Sequence, residues 1–373
     1  MEPLHIHSGE THVKPVQVGI IGCGEISGSY LKNLTGMLSE VVQVAACSDL
    51  IAERAQKRAA EFGIPKVCTT EQLIADPQIE IVVNLTMPAQ HHDVSMAALA
   101  AGKHVFCEKP LSMNRQLGKE MIDAAARGGL LFAGAPDTFL GAGLQACRRL
   151  IDEGAIGTPI TAQALLAAGH GSERYYNVFT GPMFDMGPYY LTAMVSLLGP
   201  VRRVTGSAQT PFAEKPYPPD SPDHGKTYHV TRPGNISGVL DFAAGCVGVI
   251  TTTAEVPGYH PRLEIYGSEG ILITNDPNAY TGTVTLRPSK GEPREIQLPE
   301  GFPAWGRGLG VAEMAQAINA GRSARASGDL MYHVLDIMHA VHDASKEEHH
   351  LHIESGCPRP EPFELNQLLG SGQ

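Results

Sequence analysis

The chain has 373 residues, a formal net charge of −11, 43% hydrophobic residues and 18% charged ones. That length exceeds one ordinary core and predicts two domains, with the composition of a globular protein. The acidic balance, with no Lys/Arg-rich block, excludes a nucleic-acid or anionic-membrane surface, and no apolar run approaches the roughly 18 residues a membrane span needs.

Residues 1–15, MEPLHIHSGETHVKP, lack the basic start and apolar stretch of a secretory signal and read as a lead-in. The cysteines at 23, 47, 68, 107, 147, 246 and 357 are scattered without a CxxC pair, which fits reduced thiols in a cytoplasmic protein.

From residue 16 the pattern alternates short apolar strands with helices. VQVGII (16–21) precedes a helix near 25–36, and VVQVAACS (41–48) precedes a helix through IAERAQKRAAEFG. EIVVNLT (80–86) precedes a helix ending near 102, HVFC (104–107) precedes another, and GLLFAGA (129–135) is a further strand. Continuous apolar strands separated by helices imply a parallel sheet covered on both faces, so residues 16–135 are predicted to form an α/β Rossmann-type dinucleotide-binding domain.

After about residue 155 the grammar changes. TPITAQALLA, VRRVTGSAQT, NISGVLDF, CVGVITTTAE, PRLEIYG, GILITN, GTVTLRP and REIQL are strand-like, mostly alternating polar with apolar. Turns such as AAG and GSEG join several of them, the mark of an antiparallel sheet. One helical stretch spans 183–199, and a late pair runs through VAEMAQAINAG and LMYHVLDIMHAVHDAS. The Pro-rich 213–225 reads as a loop. Residues 136–373 are therefore predicted to form an α+β domain on a largely antiparallel open sheet, its last helix available to pack back on the first domain.

GIIGCGEIS (19–27) follows the first strand and opens the first helix. Gly22 permits the tight turn, and Gly24 lets a pyrophosphate approach the backbone at the helix N-terminus. Glu25 and Ile26 complete the candidate cofactor turn, and Ser27 is small enough for close packing. Asp49 ends the second strand, where an acidic residue binds the adenosine ribose diol and repels a 2′-phosphate, so NAD is favoured over NADP. Thr86, Pro88 and His91, leaving the third strand, add further cofactor candidates at the carboxyl edge of the sheet. Glu108 and Lys109 emerge at the same edge after HVFC. For His91 or His92 taken alone, a structural role is the better reading.

Together GCGEIS, TMPAQHH, AGKHVFCEKPLS and FDMGPYY resemble the glucose–fructose oxidoreductase and inositol dehydrogenase family, Gfo/Idh/MocA, from Val16 to the last helix. The resemblance implies that Lys109 contacts the nicotinamide ribose and a substrate hydroxyl, and that the Lys109-Pro110 bond is cis. It also implies a second-domain sheet that covers the substrate and forms the oligomer interface. Asp185, Gly187 and Tyr189 match its Asp-x-Gly-x-(His/Tyr) pattern. Thr192 stands where a carboxylate often follows, and GAPDTFLG (134–141) departs from the usual Asn/Arg-rich segment. An open sheet face needs a cover, so a homodimer or homotetramer is expected.

Alcohol oxidation requires hydride transfer and loss of the hydroxyl proton. Asp185 and Tyr189, at i and i+4, are predicted to share one face at a helix start marked by Pro188, with Gly187 leaving room for a ligand. A free tyrosine, with a pKa near ~10, is a poor base, and lowering it by about three units takes about 4 kcal/mol. One cation roughly 4 Å away supplies that at an effective dielectric near ~20. Lys109 is the predicted cation and hydroxyl anchor, Tyr189 the proton acceptor and Asp185 the orienting group, with Lys109 as the alternative proton acceptor.

His170, Arg174, Tyr176, Trp305 and Arg307 are weaker candidates for a polar, hydroxyl-rich substrate such as a sugar, cyclitol or glycoside. His339, His342 and Asp343, with His349, His350 and His352 nearby, have spacing that suits a metal, but no completing ligand set is evident and no metal site is expected. The leading reading is an NAD-dependent oxidoreductase acting on a secondary hydroxyl or its ketone. The alternatives are a glycosidase that uses bound NAD for transient oxidation, and a ligand-sensing regulator without turnover.

Overall fold

A computed structural model describes residues 14–169, 173, 181–299, 301 and 306–369. Strands β1 (Val16–Ile21), β2 (Val42–Ser48), β3 (Ile81–Asn84), β4 (His104–Cys107) and β5 (Phe132–Gly134) form a parallel sheet ordered β2-β1-β3-β4-β5. Between them run α1 (Ser27–Leu34), α2 (Ala52–Phe62), α3 (Thr70–Ala75), α4 (His91–Ala100) and α5 (Arg115–Gly128). The helix stops are local: Gly63 and Gly129 end α2 and α5 in the left-handed region. Thr69 and Gln72 form a capping box at α3, an element the apolar pattern did not signal. The strands are rich in Val and Ile and nearly every position is buried, as a sheet covered on both faces demands.

After α6 (Ala142–Asp152) comes β6 (Pro159–Ala168), then α7 (Gly181–Asp185) and α8 (Gly187–Leu198). The strands β7 (Val201–Gln209), β8 (Glu214–Pro216), β9 (Thr227–His229), β10 (Asn235–Phe242), β11 (Val247–Thr253), β12 (Tyr259–Gly267), β13 (Gly270–Ile273), β14 (Thr285–Pro288) and β15 (Arg294–Glu295) follow. Helices α9 (Leu309–Ala320) and α10 (Gly328–Glu347) and strand β16 (Leu351–His352) come last among the larger elements. The second sheet is ordered β15-β14-β13-β12-β6-β11-β10-β7-β16, antiparallel throughout except for the parallel β6–β11 pair.

Two expectations change here. The Pro-rich 213–225 is not all loop: β8 pairs with β9 as a separate two-stranded ribbon, where an edge tolerates Pro216. The helical stretch 183–199 is two helices, broken at Met186, because Pro188 sits in the first turn of α8 and starts a new helix.

Every residue of α8 is buried, so it is a core helix and not an amphipathic cover. It packs on β6 and β11, while α10 packs on β7 and β10. Gly206 lets α10 come this close: a Cβ there would lie 1.9 Å from the carbonyl oxygen of Val341. Helix α10 also packs against α5 and β5, and Gly134 N–H donates to the Ala326 carbonyl, so the C-terminal segment joins the two sheets.

Candidate active site

The glycine turn is built as its sequence requires. Gly22 has φ +98°, and Cys23 N–H donates to Asp49 Oδ2 at 2.7 Å, which ties the turn to the end of β2. The other oxygen of Asp49 accepts from Ile51 N–H at 2.8 Å. Behind the turn, Arg58 donates to Ser27 Oγ and to the carbonyls of Gly24 and Glu25. A Cβ on Gly24 would meet nothing within 4 Å, so open space lies before the N-terminus of α1. Glu25 is exposed and Ile26 half-buried beside it. This cradle fits a dinucleotide: a bare backbone facing open space, a helix start and a carboxylate with lone pairs to spare. Leu50, 97% exposed, with Ile51 and Met87, adds apolar surface at the same edge. A purine would cover such surface, although nothing in the apolar pattern singled these three out.

The next loop is held by buried Asn84. Its Oδ1 accepts from the N–H and hydroxyl of Thr86, and its Nδ2 donates to the His91 carbonyl and Ser95 Oγ. Thr86 and Pro88 thereby face the sheet edge, half-buried. His91 differs from its expected role as a cofactor ligand. Its ring is wholly buried, with Nδ1 2.7 Å from the Pro110 carbonyl and Nε2 3.1 Å from that of Thr86. Burial lowers its pKa, so the ring is neutral and its one N–H can donate to only one of these carbonyls, tying the two loops within the protein.

The Lys109-Pro110 bond is cis, as the resemblance implied, and Ala135-Pro136 is cis as well. Glu108 lies behind Lys109, buried, with one oxygen accepting from Tyr30 Oη and the other from Lys109 N–H. These two bonds fix the turn from behind. Lys109 reaches across to α7, where Nζ donates to Asp185 Oδ1 at 2.6 Å and to the Asp185 carbonyl at 2.7 Å. The same ammonium lies 5.2 Å from the ring centroid of Tyr189. Burial works against this ammonium, but Asp185, Tyr189 and Glu108 outweigh it and raise its pKa.

Two details around Tyr189 depart from expectation. The space beside Gly187 belongs to Met183, whose sulfur would lie 2.8 Å from an added Cβ, so protein and not ligand fills it. Burial also raises the Tyr189 pKa: Lys109 and Arg307 pull it down, yet the net direction is up. Desolvation of a phenolate costs more here than two cations return, so the resting group is a neutral phenol.

Arg307, one of the weaker candidates, is central. Its Nη2 donates to Tyr189 Oη at 2.9 Å and to Asn278 Oδ1 at 2.8 Å, and its guanidinium carbon lies 5.2 Å from the Tyr189 ring centroid and 5.8 Å from that of Tyr280. Asp137, buried in the GAPDTFLG segment, accepts from Tyr280 Oη and from Gly310 N–H. Burial raises the pKa of this carboxyl, while Arg307 and its hydrogen bonds oppose the rise. Spacing gave no sign of the Asp137–Tyr280–Arg307 contacts, which join segments remote in sequence. His170, Arg174, Tyr176 and Trp305 lie outside the described residues.

The C-terminal histidines serve other ends. His339 and His342 are half-buried, their rings packed on Phe184 at 4.9 and 5.3 Å, because α10 lies against α8 and the sheet. Asp343 pairs with Arg115, and His349, His350 and His352 are exposed.

Comparison with known proteins agrees with this architecture. Residues 16–134 match the oxidoreductase family with the NAD-binding Rossmann fold, and residues 144–273 match the Gfo/Idh/MocA C-terminal domain. The 1,5-anhydro-D-fructose reductase of Ensifer adhaerens is 30% identical over 292 residues, covering 75% of this chain and 82% of that one. The myo-inositol 2-dehydrogenase of Thermotoga maritima is 26% identical over 287 residues, 74% of this chain and 80% of that one. In fold, levoglucosan dehydrogenase complexed with NADH and L-sorbose superposes with a TM-score of 0.81 at 20% identity, covering 91% of this chain and 99% of that one. Both halves of one architecture are matched in order along a single chain, and the protein belongs to the Gfo/Idh/MocA oxidoreductase family.

Proposed function

We propose that this chain is an NAD-dependent oxidoreductase acting between a secondary hydroxyl and its ketone on a sugar, cyclitol or related polyol. The observation that carries the proposal is the meeting of Lys109, from the edge of the first sheet, with Asp185 at 2.6 Å and the Tyr189 ring at 5.2 Å. Relatives named for a sugar reductase and an inositol dehydrogenase support the substrate class. Gly22, Gly24 and Asp49 would hold the dinucleotide, and the Asp49 carboxylate, facing a ribose diol, favours NAD over NADP. When bound, the nicotinamide supplies the hydride acceptor or donor.

The chain's own residues handle the proton. Asp185 keeps Lys109 charged and aimed, so its ammonium can donate to the substrate oxygen. Tyr189, a neutral phenol at rest, gives its proton to the carbonyl oxygen in reduction; in oxidation it first loses that proton to solvent, and the phenolate then accepts the proton of the hydroxyl. Lys109 is the poorer proton acceptor, since Asp185 holds its proton in place.

The test is NADH formation on a panel of sugars, inositols and glycosides. Tyr189→Phe and Lys109→Met should each lower kcat/KM by about 10²- to 10⁴-fold, with NADH binding by Tyr189→Phe retained. Full activity in both variants would remove the assignment. Aglycone release from glycosides without net NADH would replace the dehydrogenase reading with a redox-neutral glycosidase.

A further inference from the structure

We propose that Arg307 is the positioning residue that sets the orientation and proton affinity of Tyr189, an inference that rests on the function proposed above. The geometry gives Arg307, and not Lys109, the direct hydrogen bond to the phenol oxygen, at 2.9 Å. Lys109 gives two of its three N–H donors to Asp185 and meets only the ring of Tyr189.

A guanidinium only donates. Nη2 therefore occupies a lone pair of Tyr189 Oη and turns the phenol's own proton away from Arg307. The same contact favours the phenolate when the proton leaves, because a hydrogen bond donated to the charged form stabilises it.

Arg307 is itself fixed from both halves of the molecule. Its carbonyl accepts from Asn33 of α1 at 2.8 Å, Nη2 also holds Asn278, and the rings of Tyr189 and Tyr280 flank the guanidinium. The residue is 5% exposed, and its Nη1 has no hydrogen-bond partner among the described residues. A group present only for packing would do better as an apolar side chain of similar length, since a buried, half-satisfied guanidinium costs stability.

The charged and titratable groups that face Tyr189 are Lys109 and Glu108 after β4, Asp185 on α7, Tyr259 on β12 and Arg307 before α9. Removing Arg307 leaves two carboxylates against one cation around the phenol. Proton release from Tyr189 then becomes harder, and the acid limb of the oxidation reaction moves to higher pH.

The experiment is the pH profile of kcat for polyol oxidation by wild type, Arg307→Met, Arg307→Gln and Arg307→Lys, with NADH binding as the check of a folded site. Arg307→Met and Arg307→Gln should move the acid limb up by about one to two pH units. Arg307→Lys should move it back toward wild type. If Arg307→Met does not fold, the glutamine variant, shorter than arginine but keeping an amide donor without the charge, decides the matter. A limb unmoved in a folded, uncharged variant overturns the inference and leaves the proposed function standing. Absence of turnover by wild type on the whole panel removes both.

Discussion

At Gly22 the backbone takes φ +98°, and a Cβ built there would lie 2.7 Å from the carbonyl carbon and oxygen of Leu85. Both the backbone region and the neighbouring main chain exclude a side chain. Gly22→Ala should therefore strain the turn by about 1–3 kcal/mol and weaken NADH binding in a fluorescence titration. Unchanged NADH affinity would mean that the turn does not hold the dinucleotide. Gly22, Asp49 and Lys109 were legible in the sequence because each is defined by its place at the end of a recognisable strand. The contacts that Arg307, Asp137 and Tyr280 make were not legible. Their contacts depend on how distant segments pack, and no local pattern encodes that. The predicted lowering of the Tyr189 pKa failed for a related reason. Charge pairing can be guessed from residue types, whereas the burial that outweighs it belongs to the finished fold.

Among the elements, α10 carries a group whose titration bears on stability. His333 is wholly buried; its Nε2 accepts from Val201 N–H at 3.0 Å and its Nδ1 faces Ser355 Oγ at 3.0 Å, the pattern of a neutral imidazole. Burial pushes its pKa from 6.5 down to about 4. Because the folded value is the lower one, the unfolded chain binds more protons between the two, and stability is lost as pH falls through that window. The loss is about 3 kcal/mol. The melting temperature should fall between pH 6.5 and pH 4, and His333→Gln should flatten that slope; an identical slope in the variant would refute the linkage. Strand and helix types along the chain were largely readable from their periodicity. The break at Met186 and the β8–β9 ribbon were not, since the first turns on a proline and the second on pairing between two short segments.

For the whole molecule, the exposed side of the second sheet matters most. Its inner side is covered by α8 and α10, while the opposite side carries Val239 paired with Val249 across β10 and β11, beside Leu165, Ile271 and Ile273. Val239 is 39% exposed, and apolar residues interleaved with Thr205, Ser237 and Thr251 make a surface suited to self-association. Sedimentation should report a dimer or tetramer, and Val249→Lys should shift it toward monomer; a monomeric wild type would refute this reading. The link through α10 has a consequence for how the chain is made. The outer edge of β5 is completed by Ala326 and Ser327, residues that leave the ribosome only after every strand of the second sheet except β16. Until then the nascent nucleotide-binding half keeps a raw strand edge and an uncovered face, so translation pauses late in the message would expose it to aggregation or chaperones.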